Sequence, residues 1–435
     1  MTKYIKGVTL TYATQITILV MSFITSVIIV RTLGASGKGV VALLQNYFLI
    51  LVVIFILGMS EGNIYFLSSR KYKHKEVFAN VLVHTILISA IFLVASIIFK
   101  DWILSTFLRN IKAEHYNLAL WIFPAFFLFL HTTTMLLGHH NIVGFNVVTT
   151  ARFTFIMVFM AVLIPKLQII GAVIATVAGF LLADIIGVIL LTRYGSPAIG
   201  INKGFARNAF IFGAKSEVGL ILAQLDRRFD IFIINLFLAP TQVGFYAVAV
   251  AIAEFPWYVS NAIATVLFPE IAAMDKQRAY QFTSYVCRNT LFIVFILSIV
   301  LFVVGGFILQ FVFGPEFSQS LNPLRILMPG IVILSVNKVI CAGFSGTGRP
   351  EYGTLTAVFS AAATITLDFM LIPRMGIEGA AIASTVAYTI SATTGILLFS
   401  RTANLPLKEF LIITSEDIKR YPEFYRKVVA RFRNA

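Results

Sequence analysis

The stretch "IPKLQIIGAVIAT" begins at Ile164, and "IPRMGIEGAAIAS" begins at Ile372. The two lie 208 residues apart, and the register holds without a gap from Gly138/Gly346 to Arg193/Arg401. Within it fall Pro165/Pro373, Ile169/Ile377, Gly171/Gly379, Ala172/Ala380, Ile174/Ile382, Ala175/Ala383, Gly187/Gly395 and Leu190/Leu398. Proline inside a helix removes a hydrogen bond and ends or kinks it, while glycine lets two backbones approach. A weaker echo at an offset of 205 residues pairs Leu33 with Leu238, Gly39 with Gly244 and Ala42 with Ala247. The chain is therefore built twice.

What surrounds the repeat says where it folds. Of 435 residues, 59% are hydrophobic and 12% are charged, against about 25% charged in soluble domains. A soluble fold of this size could not cover so much apolar surface. Lipid removes that requirement. Read with a ruler of about 20 apolar residues, the chain offers spans near 8–30, 40–67, 78–99, 117–137, 147–164, 170–192, 208–238, 244–268, 290–313, 323–344, 353–372 and 377–400. The first is too long for a secretory signal and is read as a helix. Six helices repeat as six, so the halves keep one orientation and are related by an axis along the membrane normal. The expectation is an all-α polytopic membrane protein of about twelve helices, in two parallel six-helix lobes (1–200 and 201–402) around a central cleft. A basic amphipathic tail, 403–435, is expected on the cytoplasmic surface.

Lys and Arg set the orientation. With the N-terminus inside, the loops holding Arg70, Lys71, Lys73, Lys75, Lys203, Lys276 and the tail are cytoplasmic, and outside loops such as 101–116 carry about a third as many cations. Both termini are then cytoplasmic. The net charge of +15 reflects topology and anionic headgroups rather than nucleic acid. Cys287 and Cys341 are too few for a disulfide framework or metal cluster and read as small core residues. The six His form no metal-binding spacing, and His139 and His140 read as polar loop residues. No cofactor or metal is expected.

Charges inside spans cost about 2.5–3.5 kcal/mol each, so they persist where they face a wet cavity or a partner. In the seventh span Lys215, Asp226 and Asp230 share a face, with Arg227 at its edge. Glu254, Trp257 and Asn261 share a face of span eight, which Pro256 should kink. Lys338 lies in span ten, Glu61 in span two, and Arg31 ends span one. Cations in a cleft suit a phosphate-bearing substrate. Lys215, Arg227, Lys338, Arg31, Trp257 and Asn261 are accordingly the expected substrate contacts, and Asp226, Asp230, Glu254 and Glu61 the charge-balancing or ion-coupling groups. The plainer alternatives are structural pairing of Asp226 with Arg227 or Arg228, and snorkelling by Arg31, Arg152 and Arg325. Asp184 and Asp368 are read as locally hydrogen-bonded acids.

Several stretches resemble the polysaccharide transporters, including O-antigen repeat-unit flippases, of the multidrug/oligosaccharidyl-lipid/polysaccharide exporter superfamily. They are "RTLGASGKGVVALL" from Arg31, "LDRRFDIFII" from Leu225, "LAPTQVGFYAVAVAI" from Leu238, "GTGRPEYGTL" from Gly346 and the two repeats above. The resemblance implies translocation of an undecaprenyl-diphosphate-linked glycan to the outer leaflet of the bacterial cytoplasmic (inner) membrane, without catalysis. It also implies a polysaccharide polymerase and chain-length machinery as partners. A cation-coupled multidrug antiporter should instead show an acid-dominated site. A glycan polymerase or ligase should carry paired catalytic carboxylates on long external loops, which are lacking here.

Overall fold

The computed structural model describes residues 2–198, 200–272, 274–415 and 417, and among them it contains helices and no strand. The helices are α1 (Thr2–Phe55), α2 (Met59–Ser68), α3 (His74–Ile98), α4 (Lys100–Thr106), α5 (Ala113–Ala119), α6 (Ile122–Gly138), α7 (Ile142–Thr192) and α8 (Lys203–Phe237). They continue as α9 (Pro240–Ala253), α10 (Phe255–Ala272), α11 (Lys276–Phe307), α12 (Leu321–Gly346), α13 (Glu351–Ala403) and α14 (Lys408–Leu411). A π-helical turn (Ile308–Phe313) and a 3₁₀ turn (Pro315–Ser320) join α11 to α12. This is an all-α multi-pass membrane protein.

Among the described residues seven segments are long and apolar enough to cross a bilayer, and an eighth, Pro240–Ala253 with Phe255–Thr265, is bent by 47°. Three of the seven are far too long for one crossing. At about 1.5 Å per residue, the 51 residues of α7 span roughly 77 Å, against about 30 Å of hydrocarbon. Each has one non-helical residue inside: Gly34 (φ 66°) in α1, Gln168 (φ 52°) in α7 and Gly376 (φ 61°) in α13. Gln168 and Gly376 occupy equivalent places in the 208-residue repeat. Beyond each turn, Gly171 faces the carbonyl of Leu163 and Gly379 that of Leu371, so closely that a Cβ at either would collide. The repeated motif thus has a mechanical meaning. Proline weakens the outgoing helix, a left-handed residue turns the chain, and glycine lets the returning helix pass.

The 205-residue echo is equally physical. Gly39 packs on Pro240 and Gly244, and Gly244 packs on Ala35. Since Ala35 and Pro240 are equivalents under the same offset, the contact is reciprocal, as a two-fold relation requires. Small residues at this crossing allow backbone contact where no hydrophobic force drives helices together.

The expected second span, 40–67, is broken at Leu57 (φ 51°) and Gly58 (φ 73°). Gly58 lies against the backbone of Gly213, and its N–H donates to Glu217 Oε2 at 2.9 Å. That capture by α8 ends one helix and starts the next. The break near Pro256 appears as expected, between α9 and α10. Helix α11 starts fourteen residues before the expected span, because Lys276–Asn289 continues the helix outside the apolar stretch.

The chain forms two compact units. One comprises Met1–Val248, Phe307–Ser320 and Asp368–Ala380, the other Ala249–Gly306, Leu321–Leu367 and Ala381–Ala435. The first has a core around Ile29, Val41, Met160, Ile164 and Ala172. The second is built around Leu267, Val339, Phe344, Phe399 and Phe410, and Cys287 is buried there as a small core residue. Large apolar side chains such as Val303, Ile98 and Ile86 are 71, 70 and 69% exposed, as a lipid-facing surface should be.

Most of the tail from residue 418 on, including its expected amphipathic helix, lies outside the described residues. What precedes it is anchored. Arg288 makes a fork to Asp417 (Nε–Oδ2 2.6 Å, Nη2–Oδ1 3.0 Å) and donates to the Glu409 carbonyl at 2.9 Å. This guanidinium, followed by hydrogen bonds from Thr414, holds the Asp417 carboxyl well below the usual carboxylate range.

Two tests follow from these joints. Gln168 occupies a conformation that glycine adopts freely, so Gln168→Gly should stabilise the fold and Gly376→Gln destabilise it, by about 1–3 kcal/mol. Thermal unfolding in detergent reads both. Truncation after Asn404 removes Phe410 and Asp417, and should cost about 3 kcal/mol or more in the same assay. Asp417→Asn should reproduce part of that loss at pH 7. Because the Asp417 pKa is lowered by folding, its contribution is fully present above about pH 4 and fades only as pH falls through the lower folded value.

Candidate functional site

Helix α8 carries the sequence "DRRFD" from Asp226 to Asp230, four charges in five residues of a membrane protein, where each charge needs a partner or a polar path. Asp230 is 3% exposed. Its Oδ2 accepts a hydrogen bond from the Tyr246 hydroxyl at 2.6 Å, and its Oδ1 accepts from the Ile231 N–H at 2.8 Å. Arg227 Nη2 donates to Gln224 Oε1 at 3.1 Å, one turn back on the same helix. A third acid joins from α13. Asp368 is fully buried, neither of its oxygens accepts a hydrogen bond, and Asp230 and then Asp226 act on it electrostatically. The local hydrogen bonding expected for Asp368 is thus not what is found, because the side chain faces acids of another helix. A buried carboxyl in that position is kept only as its neutral acid or with a cation bound. Asp184 is not locally bonded either: it accepts from the Thr132 hydroxyl of α6 at 3.4 Å, and its other oxygen is buried without a hydrogen bond.

The second group lies where α9 breaks into α10. Glu254 sits at the break itself, with Trp257 and Asn261 on the following turns. Lys338 of α12 places its ammonium 5.6 Å from the centre of the Trp257 ring, within cation–π range. Asn337, beside it, donates to Ser391 Oγ at 2.9 Å and so orients this stretch of α12. Trp257 and Lys338, far apart in sequence, are brought together.

The remaining expected residues are placed separately. Arg31 is exposed, and its Nε donates to the Val312 carbonyl at 2.8 Å while Nη2 bonds the Phe311 carbonyl. It thereby caps the π-helical turn, whose last carbonyls have no partner within the helix. Glu61, in the first turn of α2, acts electrostatically on Glu217 of α8. Lys215 is on α8, and its side chain lies outside the described residues.

Three features escaped the sequence reading. Arg152 does not snorkel to an interface. Its guanidinium lies among the rings of Phe153, Phe129 and Phe180, at 4.1, 4.5 and 5.1 Å from their centres. The Phe residues beside it in "ARFTF" were the available signal. His131, fully buried, joins Asn63 through Nδ1 and His84 through Nε2, both at 3.1 Å. No spacing rule links His84 to His131, since the pairing is made between α3 and α6. At the end of α6, His139 is not simply a polar loop residue. It meets His74 at 2.7 Å and stacks on Tyr194 with centroids 4.1 Å apart.

Residues 4–275, more than half of the chain, match the family model described as "Polysaccharide biosynthesis protein". The chain belongs to that family, the polysaccharide-transporter branch of the multidrug/oligosaccharidyl-lipid/polysaccharide exporter superfamily. A second model of the superfamily, MatE, matches residues 235–370. Among curated relatives, a "Probable low-salt glycan biosynthesis flippase" of Haloferax volcanii is 27% identical over 43% of this chain and 40% of its own length. A "Putative O-antigen transporter" of Shigella flexneri is 21% identical over 52% of this chain and 56% of its own. The chain thus aligns with about half the length of these relatives. Two solved structures share the fold nearly end to end. Lipid II flippase MurJ in an inward closed conformation has a TM-score of 0.79 at 16% identity, covering 97% of this chain and 93% of its own. An inward-facing multidrug resistance MATE family transporter has 0.69 at 14% identity, covering 89% and 94%.

Among the described residues no three acids are grouped as metal ligands; a monovalent cation held by Asp368 and other oxygens should still stabilise this family member. Sodium at about ten times its dissociation constant should add roughly 1.4 kcal/mol. The corresponding rise in the thermal unfolding midpoint should vanish in Asp368→Asn. A rise of equal size in that variant would show that sodium binds elsewhere.

Proposed function

We propose that this protein is a flippase that moves polyprenyl-diphosphate-linked oligosaccharide units from the inner to the outer leaflet of the cytoplasmic membrane, for assembly of a surface polysaccharide. The observation that carries the reading is the family match over residues 4–275, on a chain whose fold is shared over 97% of its length with a lipid II flippase. The protein acts as a transporter and catalyses no bond change. Twelve spans are reached by counting α1, α7 and α13 as two crossings each, and adding the bent α9–α10 pair and α8 to the four remaining apolar segments. In this reading 1–200 and 201–402 are the two repeated lobes, both termini are cytoplasmic, and transport proceeds by alternating access.

Charge economy supports the roles. Lys338 with Trp257 and Asn261 in the second unit, and Arg227, Lys215 and the exposed Arg31 in the first, are each candidate contacts for the diphosphate and its first sugars. Asp226 and Asp230, joined by Asp368, carry the coupling ion, while Glu254 and Glu61 balance nearby charge. The polyprenyl tail stays in lipid, so only the headgroup needs a polar path. A polysaccharide polymerase and its chain-length machinery are the partners that would receive the product.

A second reading, a cation-coupled multidrug antiporter, is favoured by the MatE match over 235–370 and by the buried acids. Deleting the gene separates the two. Under the flippase reading, lipid-linked glycan accumulates on the inner leaflet and returns to normal on complementation. Lys338→Ala should fail to complement at normal protein level, with export at least tenfold down. Unchanged glycan export together with drug sensitivity would establish the antiporter. Topology has its own check. In intact cells an impermeant thiol reagent should label cysteines placed at 101–116 and spare one at position 73.

A further inference from the structure

A cavity of about 320 Å³ lies inside the first compact unit, walled by both halves of α1, by α6 and by both halves of α7. Two cations line it, Lys38 and Arg152, with Ser26, Gln45 and Thr176 as further polar groups and no carboxylate among the lining residues. Neither belongs to the substrate contacts proposed above. Lys38 lies just past the Gly34 turn, and its ammonium reaches back to Ser26 Oγ at 3.0 Å. The hairpin therefore carries the lysine inward. The Arg152 guanidinium lies over three phenylalanine rings, contacts that do not pair its N–H donors with an acceptor atom. Its Nε is buried and makes no hydrogen bond. Asp184 acts on Arg152 electrostatically, yet one of its oxygens accepts from Thr132 and the other is buried without a partner, so no ion pair closes.

Two costly cations facing one cavity, with hydroxyl groups and without a carboxylate in the wall, ask for an anion. A monatomic anion, about the ~30 Å³ of a water, would leave most of the space empty. Arg edge donors match oxyanions bidentately, Lys adds a compact charge, and the Phe walls exclude water that would screen both. We propose that this cavity is a second oxyanion site that takes a phosphate group, supplied in transport by the diphosphate of the lipid-linked glycan. The assignment to the lipid diphosphate rests on the flippase reading. The oxyanion site itself does not.

The test is titration of the purified full-length protein in nanodiscs with inorganic pyrophosphate and, separately, with farnesyl diphosphate. Both should bind, and Lys38→Gln and Arg152→Gln should each weaken binding by about tenfold or more, with Arg152→Lys retaining part of the affinity. The thermal unfolding midpoint of each variant checks its fold. Should Arg152→Gln not fold, Lys38→Gln and Ser26→Ala decide the question. Absence of binding to the unmodified protein, or unchanged affinity in the folded variants, would overturn the site. Binding of pyrophosphate with exclusion of farnesyl diphosphate would overturn the lipid source and leave a site for free phosphate. Normal glycan export in the deletion strain, with binding intact, would remove the flippase reading and not the oxyanion site.

Discussion

In hydrocarbon a backbone N–H or carbonyl has no water to bond, so a chain that crosses repeatedly must turn without exposing its backbone. The joints of this fold answer that demand with very few residues. Gly34, Gln168 and Gly376 each turn the chain within a helix otherwise unbroken over about fifty residues. Where a helix does break, as at Gly58, the exposed N–H is taken by the Glu217 carboxylate. At the π-helical turn, Arg31 takes the carbonyls of Phe311 and Val312. Charged side chains of this kind complete the backbone.

Packing follows from the same constraint. Lipid is as apolar as leucine, so helices associate through close contact of small residues. Gly39, Gly244, Gly58, Gly62 and Gly213 all sit where a Cβ would strike a neighbouring backbone or side chain. The exchange of contacts between Ala35 and Gly39 on one side and Pro240 and Gly244 on the other makes the crossing self-complementary. Such a crossing can persist only if both copies of the sequence keep small residues there.

The charges divide by what answers them. Arg288 and Asp417 form a fork that anchors the start of the tail. Asp230 is answered by Tyr246, while Asp368 is answered by no hydrogen bond and lies in the field of two other acids. Lys338 is answered by the face of Trp257, and Arg152 by three phenylalanine rings. Aromatic faces stabilise a cation while leaving its hydrogen-bond donors for something else. At Arg152, whose Nε makes no hydrogen bond, that is the physical difference between a structural ion pair and a group kept ready for a ligand.

By itself the sequence determined the membrane class, most of the apolar helices and the repeat, because hydropathy, proline and glycine act locally and survive in linear order. It also placed the kink at Pro256 and marked Asp226, Asp230 and Lys338 as costly. The hinge at Gln168 was legible only through its partner Gly376, since glutamine carries no turn signal of its own. The tertiary structure decided which costly groups meet. Asp368 reaches acids 138 and 142 residues away, Lys338 meets Trp257 across 81 residues, and Lys38 shares a cavity with Arg152. A helical wheel assigns a residue to a face but not to the helix opposite that face. Only the packing of helices, fixed by close contacts of small residues, supplies that second coordinate.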